Sequence, residues 1–458
     1  MYRTETDGLG SVEIPLEAAY GSQTHRAIEN FPISGVAINH YPEIVKSLAM
    51  VKKACALSNA ALGALTEAKC NTIVEVCDEI IDGSHHEYFV LDMLQGGAGT
   101  STNMNANEVI ANLGLQKMGR VFGDYSGLHP NDDVNCSQST NDVYPTAIRL
   151  AVLQKSAGLV YAMENLVTAF KEKAEEFKHI KKVGRTQLQD AVPMRLGDEF
   201  MAFAVTLEED IQRVHELAKL LTEVNLGGTA IGTRINTPEG YQTLAVKHLC
   251  EVSGFDLKPA ANLIEASSDL GAFIMFSGTL KRVASKLSKT CNDLRLLSSG
   301  PRAGLGEIIL PAVQAGSSIM PGKINPVIPE VVNQVCYQTI GNDLVVTLAA
   351  EAGQLQLNAM EPVIIYKMME SIATMTNAMY VLADRCVSGI QADEKRCAEL
   401  LDNSLVLATT LAPILGYEQA SRIAKIALKE GLTIREAAAE HTDLAAEKVE
   451  QSLENAAV

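Results

Sequence analysis

Long apolar stripes with helical spacing run through residues 142–390 and favour a helical architecture. From Leu159 to Phe177, apolar side chains recur at intervals of 4, 3, 4, 4 and 3 residues. Similar stripes run from 207 to 224 and from 280 to 297, and the segments 330–360 and 363–386 also have a helical pattern. Each stripe must be buried against another. The pattern therefore predicts about five long helices packed as a bundle.

The composition agrees with a helical protein of several domains. Aromatic residues make up 5% of the 458 residues and tryptophan is absent, which argues against a β-sandwich. The chain is too long for one compact core. We expect an N-terminal domain at 1–141, mostly helical with an irregular or β start, a central five-helix bundle at 142–390, and a small helical end domain at 391–458 with turns at glycines 416 and 431 and at threonine 442.

Charge and cysteine usage limit the possible partners and location. The net charge of −17 argues against binding to nucleic acid or to an anionic membrane surface. No stretch approaches 18 uninterrupted apolar residues, and the first residues lack the apolar core of a signal peptide. The nine cysteines are scattered without a C-x-x-C pair, which indicates free thiols in a reducing compartment. We predict a cytoplasmic protein with no nucleic-acid or membrane partner.

Two segments suggest that the chain forms an oligomer. Residues 267–280 and 338–360 carry apolar or small side chains on more than one helix face, including Leu344 and Leu348. A helix that is apolar all round is buried on all sides. We therefore expect other copies of the chain to cover these faces.

The N-terminal part contains one group of residues that could bind a metal ion. Residues 43–81 have helical spacing that ends at Asp82-Gly83, and a second helix is predicted from about Asn105 to Met118. His85-His86-Glu87 lies between them. Three adjacent side chains point in different directions, so a solvated turn is favoured over a metal site. We predict no bound metal.

Residues 316–326, with the sequence GSSIMPGKINP, are predicted to form a loop. Its two glycines and two prolines prevent a continuous helix. Hydroxyl, ammonium and amide donors are concentrated there: Ser317, Ser318, Lys323 and Asn325. Composition leaves two interpretations open, an anion-binding loop and a surface connector.

Three further polar clusters have the same character. They contain Thr100, then Ser139, Thr140 and Asn141, and finally Thr186 and Gln187. Each cluster by itself is typical of a helix cap. Together with the loop, they supply hydroxyl and amide donors with one lysine and few acids, which suits a small dicarboxylate and a transition state that gathers negative charge on oxygen.

Several common kinds of enzyme are disfavoured by missing motifs. The glycine-rich stretch before Thr100 lacks the P-loop lysine, and no dinucleotide-binding fingerprint is present. The chain also lacks the G-x-S-x-G and H-E-x-x-H motifs. Nucleotide-binding, dehydrogenase, hydrolase and zinc-enzyme interpretations therefore lose support.

The loop at 316–326 resembles the signature loop of the aspartase and fumarase superfamily. Further segments similar to that superfamily are spread over the chain: Arg26–Phe31, Gly96–Ser101, Gln138–Asp142, Gly184–Thr186 and Gly416–Glu418. The continuation VIPEVVNQVC after the loop, and Val-Gln-Ala before it, resemble the aspartase branch more than class II fumarases. Gln187 stands where many relatives carry His and does not by itself decide the substrate.

This resemblance implies a mainly α fold of three domains whose central long-helix bundles form a twenty-helix core in a homotetramer. Each active site would be built from three subunits and would bind a small dicarboxylate. The implied reaction is the reversible deamination of L-aspartate to fumarate and ammonia, through removal of the C3 proton and an enediolate intermediate, with no cofactor.

The resemblance also implies a role for each polar cluster. Ser317 would be the catalytic base. The β-carboxylate would be held by Thr100, Ser139, Thr140 and Ser318, and the α-carboxylate by Lys323 and Asn325. Asn141, Thr186 and Gln187 would lie near the amino group or the α-carboxylate, and Arg26 is a further candidate for substrate binding.

Three alternatives remain open at this stage. The chain could be a class II fumarate hydratase, or a lyase acting on N-substituted aspartates. It could also be a non-catalytic structural protein on a lyase scaffold, as some crystallins are. The last alternative predicts damage at the polar clusters, whereas Ser317, Lys323 and Asn325 are intact.

Overall fold

The computed structural model describes residues 1–454 of the chain. Its residues form two compact units. The first unit comprises Met1–Val160, Gln212–Arg282 and Tyr337–Met375, and the second comprises Tyr161–Ile211, Val283–Cys336 and Thr376–Val458. The last four residues of the predicted end domain, 455–458, lie outside the described residues.

Most of the described chain is helical. The α-helices are α1 (Ser22–Asn30), α2 (Pro42–Ala61), α3 (Glu67–Asp82), α4 (Thr100–Lys117), α5 (Thr140–Glu176), α6 (Leu196–Ala218), α7 (Tyr241–Ser253), α8 (Gly271–Leu297), α9 (Val327–Glu351), α10 (Glu361–Arg385), α11 (Glu394–Asp402), α12 (Ala408–Leu415), α13 (Tyr417–Glu430), α14 (Ile434–His441) and α15 (Ala446–Glu454). The five long helices predicted between 142 and 390 are confirmed as α5, α6, α8, α9 and α10. Over residues 1–454, no single helix is long and apolar enough to cross a membrane, and one bent pair, Glu394–Asp402 with Leu405–Leu415, meets that test by length and composition.

The strands are short and form sheets of two strands each. The antiparallel pairs are β1 (Tyr2–Asp7) with β2 (Gly10–Pro15), β3 (Lys181–Thr186) with β4 (Gln189–Arg195), and β7 (Ile308–Ile309) with β8 (Gln391–Ala392); the parallel pair is β5 (Glu223–Val224) with β6 (Lys258–Pro259). The first pair confirms the small β element expected at the start of the chain.

Two helix boundaries differ from the sequence prediction. The helical region predicted at 43–81 is two helices, because the chain turns after α2 at Gly63, which has a φ of 75°. Gly83, with a φ of 107°, ends α3 as expected. Helix α4 begins at Thr100, earlier than the predicted Asn105, because the left-handed Gly99 turns the chain directly into the helix.

Helix α1 was not predicted, because its cap comes from a distant part of the chain. Gly21 precedes the helix and has no side chain to cap it. The buried carboxylate of Glu108 in α4 accepts the backbone N–H groups of Gly21, Gln23 and Thr24 at 2.8, 2.9 and 3.1 Å. It therefore satisfies the free donors that begin every helix. Burial nevertheless raises the pKa of Glu108.

Polar contacts join the long helices inside the first unit. Asp343 of α9 accepts hydrogen bonds from Ser277 and Lys281 of α8, at 2.9 and 2.6 Å. Next to it, the Asn342 amide donates to Glu370 and Ser371 of α10, at 2.9 and 3.0 Å. These bonds fix the register of α8, α9 and α10, because a shift along any helix would leave buried polar groups unpaired.

The second unit has an aromatic core and a helical C-terminal part. Phe170 and Phe177 of α5 pack on Phe200 of α6, with ring centroids 6.3 and 5.2 Å apart. Helices α12, α13 and α14 end next to Gly416, Gly431 and Thr442. The three turns predicted in the end domain are therefore confirmed.

All nine cysteines are free thiols, as the sequence predicted, and seven of them are buried. Burial raises the pKa of Cys336 and of Cys386 to about 12. Thiols with such a pKa stay protonated and unreactive near neutral pH.

We expect Glu361→Gln to change how stability depends on pH. Glu361 begins α10 and is buried, and burial raises the pKa of its carboxyl to about 8, against a smaller opposing effect of the Arg149 charge. In the unfolded chain, the carboxyl has a pKa of about 4.3. The folded state therefore binds more protons between these values, and the free energy of unfolding contributed by this group falls as the pH rises through 8.

Glutamine cannot ionise. As the pH rises from about 5 to about 8.5, the melting temperature of the variant should therefore increasingly exceed that of the natural chain, by about 2–4 °C for each kcal/mol of unfolding free energy that the natural chain loses. Thermal unfolding monitored by circular dichroism across this range measures the effect. The exposed Glu172 provides the control substitution Glu172→Gln, which should give a flat difference. A flat difference for Glu361→Gln would contradict the prediction.

Candidate active site

The four predicted polar clusters are divided between the two units. Thr100 and the cluster Ser139–Asn141 belong to the first unit, whereas Thr186, Gln187 and the loop 316–326 belong to the second.

Both clusters of the first unit lie at the start of a long helix. Thr100 is the first residue of α4, and its hydroxyl donates to the Gly97 carbonyl at 2.7 Å. Ser139 precedes α5, and its hydroxyl oxygen accepts the N–H of Asn141 at 3.2 Å. The helix-cap interpretation is confirmed for Ser139, but it is wrong for Thr100, because Gly99 holds the cap position of α4 and no side chain caps that helix. A helix N-terminus carries a positive dipole end and therefore favours an anion.

A buried asparagine brings these two clusters together. The Asn103 amide, one turn into α4, donates to the Thr140 hydroxyl oxygen at 3.1 Å. Gly99 lies flat against the Tyr144 ring of α5, so closely that a Cβ at Gly99 would lie 2.4 Å from a ring carbon. Because the Thr140 oxygen already accepts a hydrogen bond, its proton remains available to donate to a ligand.

A buried lysine donates hydrogen bonds to the segment that leads into the Ser139–Asn141 cluster. The Lys52 ammonium donates to Asn135 Oδ1 at 2.9 Å and to Gln138 Oε1 at 2.8 Å. The lysine is fully buried, and burial lowers its pKa to about 7. Sequence reasoning missed this residue. The signal available in the sequence was its spacing, four residues after Leu48 and three before Cys55, which places Lys52 on the apolar face of the helix.

A second buried charge ties the start of α5 to the segment 225–230. The Asp142 carboxylate accepts the N–H groups of Ser139, Gly227 and Thr229 at 2.9, 2.9 and 3.1 Å. Burial raises its pKa to about 6. The Asn141 amide donates to the Ala230 carbonyl at 2.7 Å. The segment 225–230 is therefore part of the candidate site, and sequence reasoning missed it.

In the second unit, Thr186 and Gln187 lie at the tip of a β-hairpin. Thr186 pairs with Gln189, and the two residues between them have φ values of 54° and 61°. Two consecutive left-handed residues are the geometry of a tight hairpin turn. The interpretation of this cluster as a helix cap is therefore wrong: the two strands place it at a hairpin tip.

Buried ion pairs anchor this hairpin. Arg185 donates to Glu307 Oε2 at 2.9 Å, and Lys182 lies 3.2 Å from the same oxygen and 2.6 Å from Glu199 Oε2. Glu307 is fully buried, so removing either cation would leave its charge less compensated. Glu307 lies 122 residues after Arg185, which explains why local sequence patterns did not reveal it.

The stretch 316–326 is a loop, as predicted, and ends where α9 begins. The Ser317 hydroxyl oxygen accepts the N–H groups of Ile319 and Met320 at 3.2 and 3.0 Å. The Asn325 amide donates to the Gly316 carbonyl and closes the loop. Glycine is required at 316, because a Cβ there would lie 2.0 Å from the Lys323 carbonyl oxygen.

Lys323 and Asn325 also line a cavity of about 540 Å³ beside the loop. Among the described residues, no hydrogen bond joins the loop to the tip of the hairpin. The hairpin tip and the loop are thus separate donor groups of the second unit, and the two clusters of the first unit form one joined group.

Arg26 is already paired in this structure. Its guanidinium makes two hydrogen bonds to the Asp7 carboxylate, at 2.8 and 3.0 Å, and holds the pKa of Asp7 below its usual value. Arg26 and Ser101 line a cavity of about 370 Å³. A substrate carboxylate would have to compete with Asp7 for this arginine.

His85 and His86 lie in the turn that follows α3. His85 Nε2 lies 3.1 Å from Glu79 Oε2, whereas His86 Nε2 lies 2.9 Å from the Ile80 carbonyl oxygen. The two rings therefore have different partners. Across residues 1–454, no group of three or more His, Cys, Asp or Glu side chains is arranged to hold a metal ion.

Comparison with known proteins defines the class of this chain. Residues 10–341 match the lyase family, and residues 407–457 match the family described as fumarase C C-terminus. The chain belongs to this lyase family, in agreement with its superfamily motifs. It is 61% identical over 436 residues to an aspartate ammonia-lyase of Pseudomonas canavaninivorans, covering 95% of this chain and 92% of the relative. The aspartate ammonia-lyase of Escherichia coli strain K12 is 54% identical, with 95% and 91% covered.

Solved structures confirm the mainly helical lyase fold. A fumarate lyase:delta crystallin from Brucella melitensis, bound to cobalt, superimposes with a TM-score of 0.97 at 58% identity, covering 99% of this chain and 98% of that one. A class II fumarase from Schistosoma mansoni gives a TM-score of 0.93 at 34% identity, with 100% and 99% covered. The chain is thus a carbon–nitrogen lyase by its relatives, and class II fumarase is the more distant alternative.

We expect Gly99→Ala to impair the enzyme much more than Gly97→Ala. Both glycines are left-handed, with φ values of 86° and 91°, so both substitutions carry a backbone cost of about 1–2 kcal/mol. Only at Gly99 would the new Cβ overlap the Tyr144 ring; at Gly97 the nearest atom is 3.8 Å away. The overlap should push the start of α4 away from α5 and lower kcat/KM by about 10²-fold.

Steady-state lyase kinetics on both purified variants, with thermal unfolding to separate lost fold from lost geometry, measures this difference. Equal activity of the two variants would show that the contact between α4 and α5 does not matter for turnover.

Proposed function

We propose that the protein is an aspartate ammonia-lyase that converts L-aspartate reversibly into fumarate and ammonia. The observation that carries the chemical assignment is the Ser317 hydroxyl oxygen, which accepts two backbone N–H groups inside a loop of the lyase family. The identity of 54–61% to aspartate ammonia-lyases over 95% of the chain supports this substrate.

In this proposal, Ser317 acts as the base. A serine hydroxyl is a weak base, but its alkoxide is a strong one, and the N–H groups of Ile319 and Met320 stabilise negative charge on the oxygen. The Ser317 hydroxyl first loses its proton to solvent, and the resulting alkoxide takes the proton from C3 of the substrate. The electron pair of the broken C–H bond moves into the β-carboxylate, which becomes an enediolate with two negative charges.

The donors around the β-carboxylate must bind this enediolate more strongly than they bind aspartate. We assign this role to Thr100, Ser139, Thr140 and Ser318. The hydrogen bond that Asn103 donates to the Thr140 oxygen supports this role, because that oxygen then acts as the acceptor toward the protein and its proton is left to donate to the ligand. Removing one such donor typically costs about 10²–10³ in rate.

The second step releases ammonia. The enediolate returns its electron pair to C3, the C2–C3 double bond forms, and the C2–N bond breaks. We assign Lys323 and Asn325 to the α-carboxylate, and Asn141, Thr186 and Gln187 to the region of the amino group. One N–H of the Asn325 amide donates to the Gly316 carbonyl, which leaves its second N–H for the α-carboxylate when the loop closes over the substrate.

We also propose the assembly that this site requires, a homotetramer of three-domain chains in which different subunits contribute clusters to one active site. The domains would be 1–141, 142–390 and 391–458. Support comes from α9, whose apolar Leu344 and Leu348 are each 60% exposed in the single chain. Large apolar side chains in a row on one helix indicate a contact surface. The nine free thiols support a cytoplasmic location.

A substrate panel tests the reaction. The purified chain is incubated with L-aspartate, malate and argininosuccinate, and the ultraviolet absorbance of fumarate is followed. Fumarate should form from L-aspartate with release of one equivalent of ammonia. Turnover of malate alone would favour fumarate hydratase, the alternative that the class II fumarase match supports at 34% identity. Turnover of only the N-substituted aspartate would favour the third alternative.

We expect Ser317→Ala to lower kcat by at least about 10³-fold, because it removes the proposed base. The mass of the assembly by size-exclusion chromatography with light scattering should stay unchanged, since among residues 1–454 the Ser317 side chain makes hydrogen bonds only within its own loop. Turnover near the natural level would reassign the base to another residue.

Lys323→Ala should act mainly on substrate binding. It removes the charge proposed to hold the α-carboxylate, so KM for L-aspartate should rise about 10–100-fold with a smaller change in kcat. The exposed lysine of α13 gives a matched control, Lys425→Ala, which should leave KM unchanged. The same KM in the Lys323 and Lys425 variants would contradict the carboxylate role.

A further inference from the structure

Asn103, one turn into α4, is buried, with only 1% of its surface exposed. Its amide nitrogen donates to Asn135 Oδ1 and to the Thr140 hydroxyl oxygen, each at 3.1 Å. The amide oxygen of Asn103 accepts no hydrogen bond from residues 1–454. The orientation of this amide is therefore set by the two groups that its nitrogen meets.

Lys52 fixes which way the neighbouring amide points. An ammonium has three donors and no acceptor, so the amide groups that bind it must present their oxygens. Asn135 Oδ1 and Gln138 Oε1 lie 2.9 and 2.8 Å from Lys52 Nζ. The Asn135 nitrogen points elsewhere and donates to the Gln138 carbonyl at 3.3 Å. Asn135 therefore offers Asn103 an acceptor, and Asn103 has to present an N–H.

The opposite orientation of the Asn103 amide is unfavourable for the same reason. It would place the amide oxygens of Asn103 and Asn135 against each other at 3.1 Å, with no proton between them. It would also put an acceptor beside the Thr140 hydroxyl, which would then turn its proton inward. With the orientation that Lys52 and Asn135 impose, the Thr140 proton is left to point at a ligand.

We propose that Asn103 is a positioning residue for the lyase reaction: it keeps the Thr140 hydroxyl as a donor to the β-carboxylate, and Asn135 and Lys52 hold Asn103 in that orientation. This role rests on the proposed function, in which Thr140 binds the β-carboxylate. Buried hydrogen bonds in series polarise one another. The donor at the end of the series therefore gains most when negative charge gathers on the enediolate.

A purely structural role, in which Asn103 only joins α4 to α5, makes different predictions. Loss of the side chain would then disturb Thr100, Ser139 and Thr140 together, and the binding of substrate and of enediolate would weaken alike. A positioning role acts through one hydroxyl group. Its loss should weaken mainly the binding of the enediolate.

A double-mutant cycle separates the two roles. Asn103→Leu removes both N–H groups at similar size, and Thr140→Val removes the hydroxyl at similar shape. We expect kcat/KM to fall about 10–10²-fold in Asn103→Leu and about 10²–10³-fold in Thr140→Val. The double variant should match Thr140→Val within about threefold, because Asn103 acts through that hydroxyl. Losses that multiply in the double variant would overturn the proposal.

The cycle does not depend on which substrate the enzyme prefers. L-Aspartate, malate and argininosuccinate share the carboxylate next to the C3 proton, so kcat/KM is measured with whichever of them the natural chain turns over. Turnover of malate alone would overturn the proposed specificity for aspartate. The coupling between Asn103 and Thr140 would still decide the positioning role.

Asn107→Leu is the matched control. Asn107 lies one turn further along α4, is also buried, and donates to the same Asn135 oxygen at 3.2 Å. Its amide makes its other hydrogen bond to Met104 Sδ and none to Thr140. The variant should lose thermal stability, as Asn103→Leu does, yet keep kcat/KM within about threefold. An equal loss of kcat/KM in both variants would contradict a role through the Thr140 contact.

Two inhibitors give a measurement that needs no turnover. Succinate carries the two carboxylates of the substrate, whereas the nitronate of 3-nitropropionate carries a planar, negatively charged group in place of the enediolate. By isothermal titration calorimetry, Asn103→Leu should weaken nitronate binding about 10–10²-fold and succinate binding at most about threefold. Equal losses for both ligands would overturn the proposal. If Asn103→Leu does not fold, Asn103→Ser, whose side chain is one bond shorter, replaces it in both measurements.

Discussion

One amide oxygen, Asn135 Oδ1, organises the polar interior of the first unit. It accepts hydrogen bonds from Lys52, Asn103 and Asn107, at 2.9, 3.1 and 3.2 Å. Lys52 comes from α2 and Asn103 from α4, and Asn103 also holds Thr140 at the start of α5. A buried ammonium needs such acceptors, since water cannot reach it. The requirement to satisfy one buried charge therefore fixes three helices around the groups proposed to bind a carboxylate.

In the second unit, buried charge is compensated by side chains of the opposite charge. Glu307 is fully buried and is compensated by Lys182 and Arg185 at the base of the hairpin. In contrast, the loop 316–326 is closed only by local bonds, and Ile319 at its tip is 82% exposed. A rigid hairpin suits the proposed role of positioning donor groups, and a weakly held loop suits the proposed role of closing over the substrate.

The sequence predicted those features that depend on local patterns. The five long helices follow from apolar spacing, and the loop at 316–326 follows from its glycines and prolines. Helix α1 was missed because Glu108, 84–87 residues away, supplies its cap. The hairpin tip at Thr186 was read as a helix cap, because the strands that define it are stabilised by Glu307, far along the chain. Contacts of this kind appear only once the chain is folded.

Lys52 and Arg149 are two buried cations of the same unit, and they meet different surroundings. Two amide oxygens accept hydrogen bonds from Lys52, and burial lowers its pKa to about 7, so it can also lose its charge near neutral pH. A guanidinium has no such option, because it stays protonated even where burial lowers its pKa. Its charge must be met by an anion or by a cost in stability.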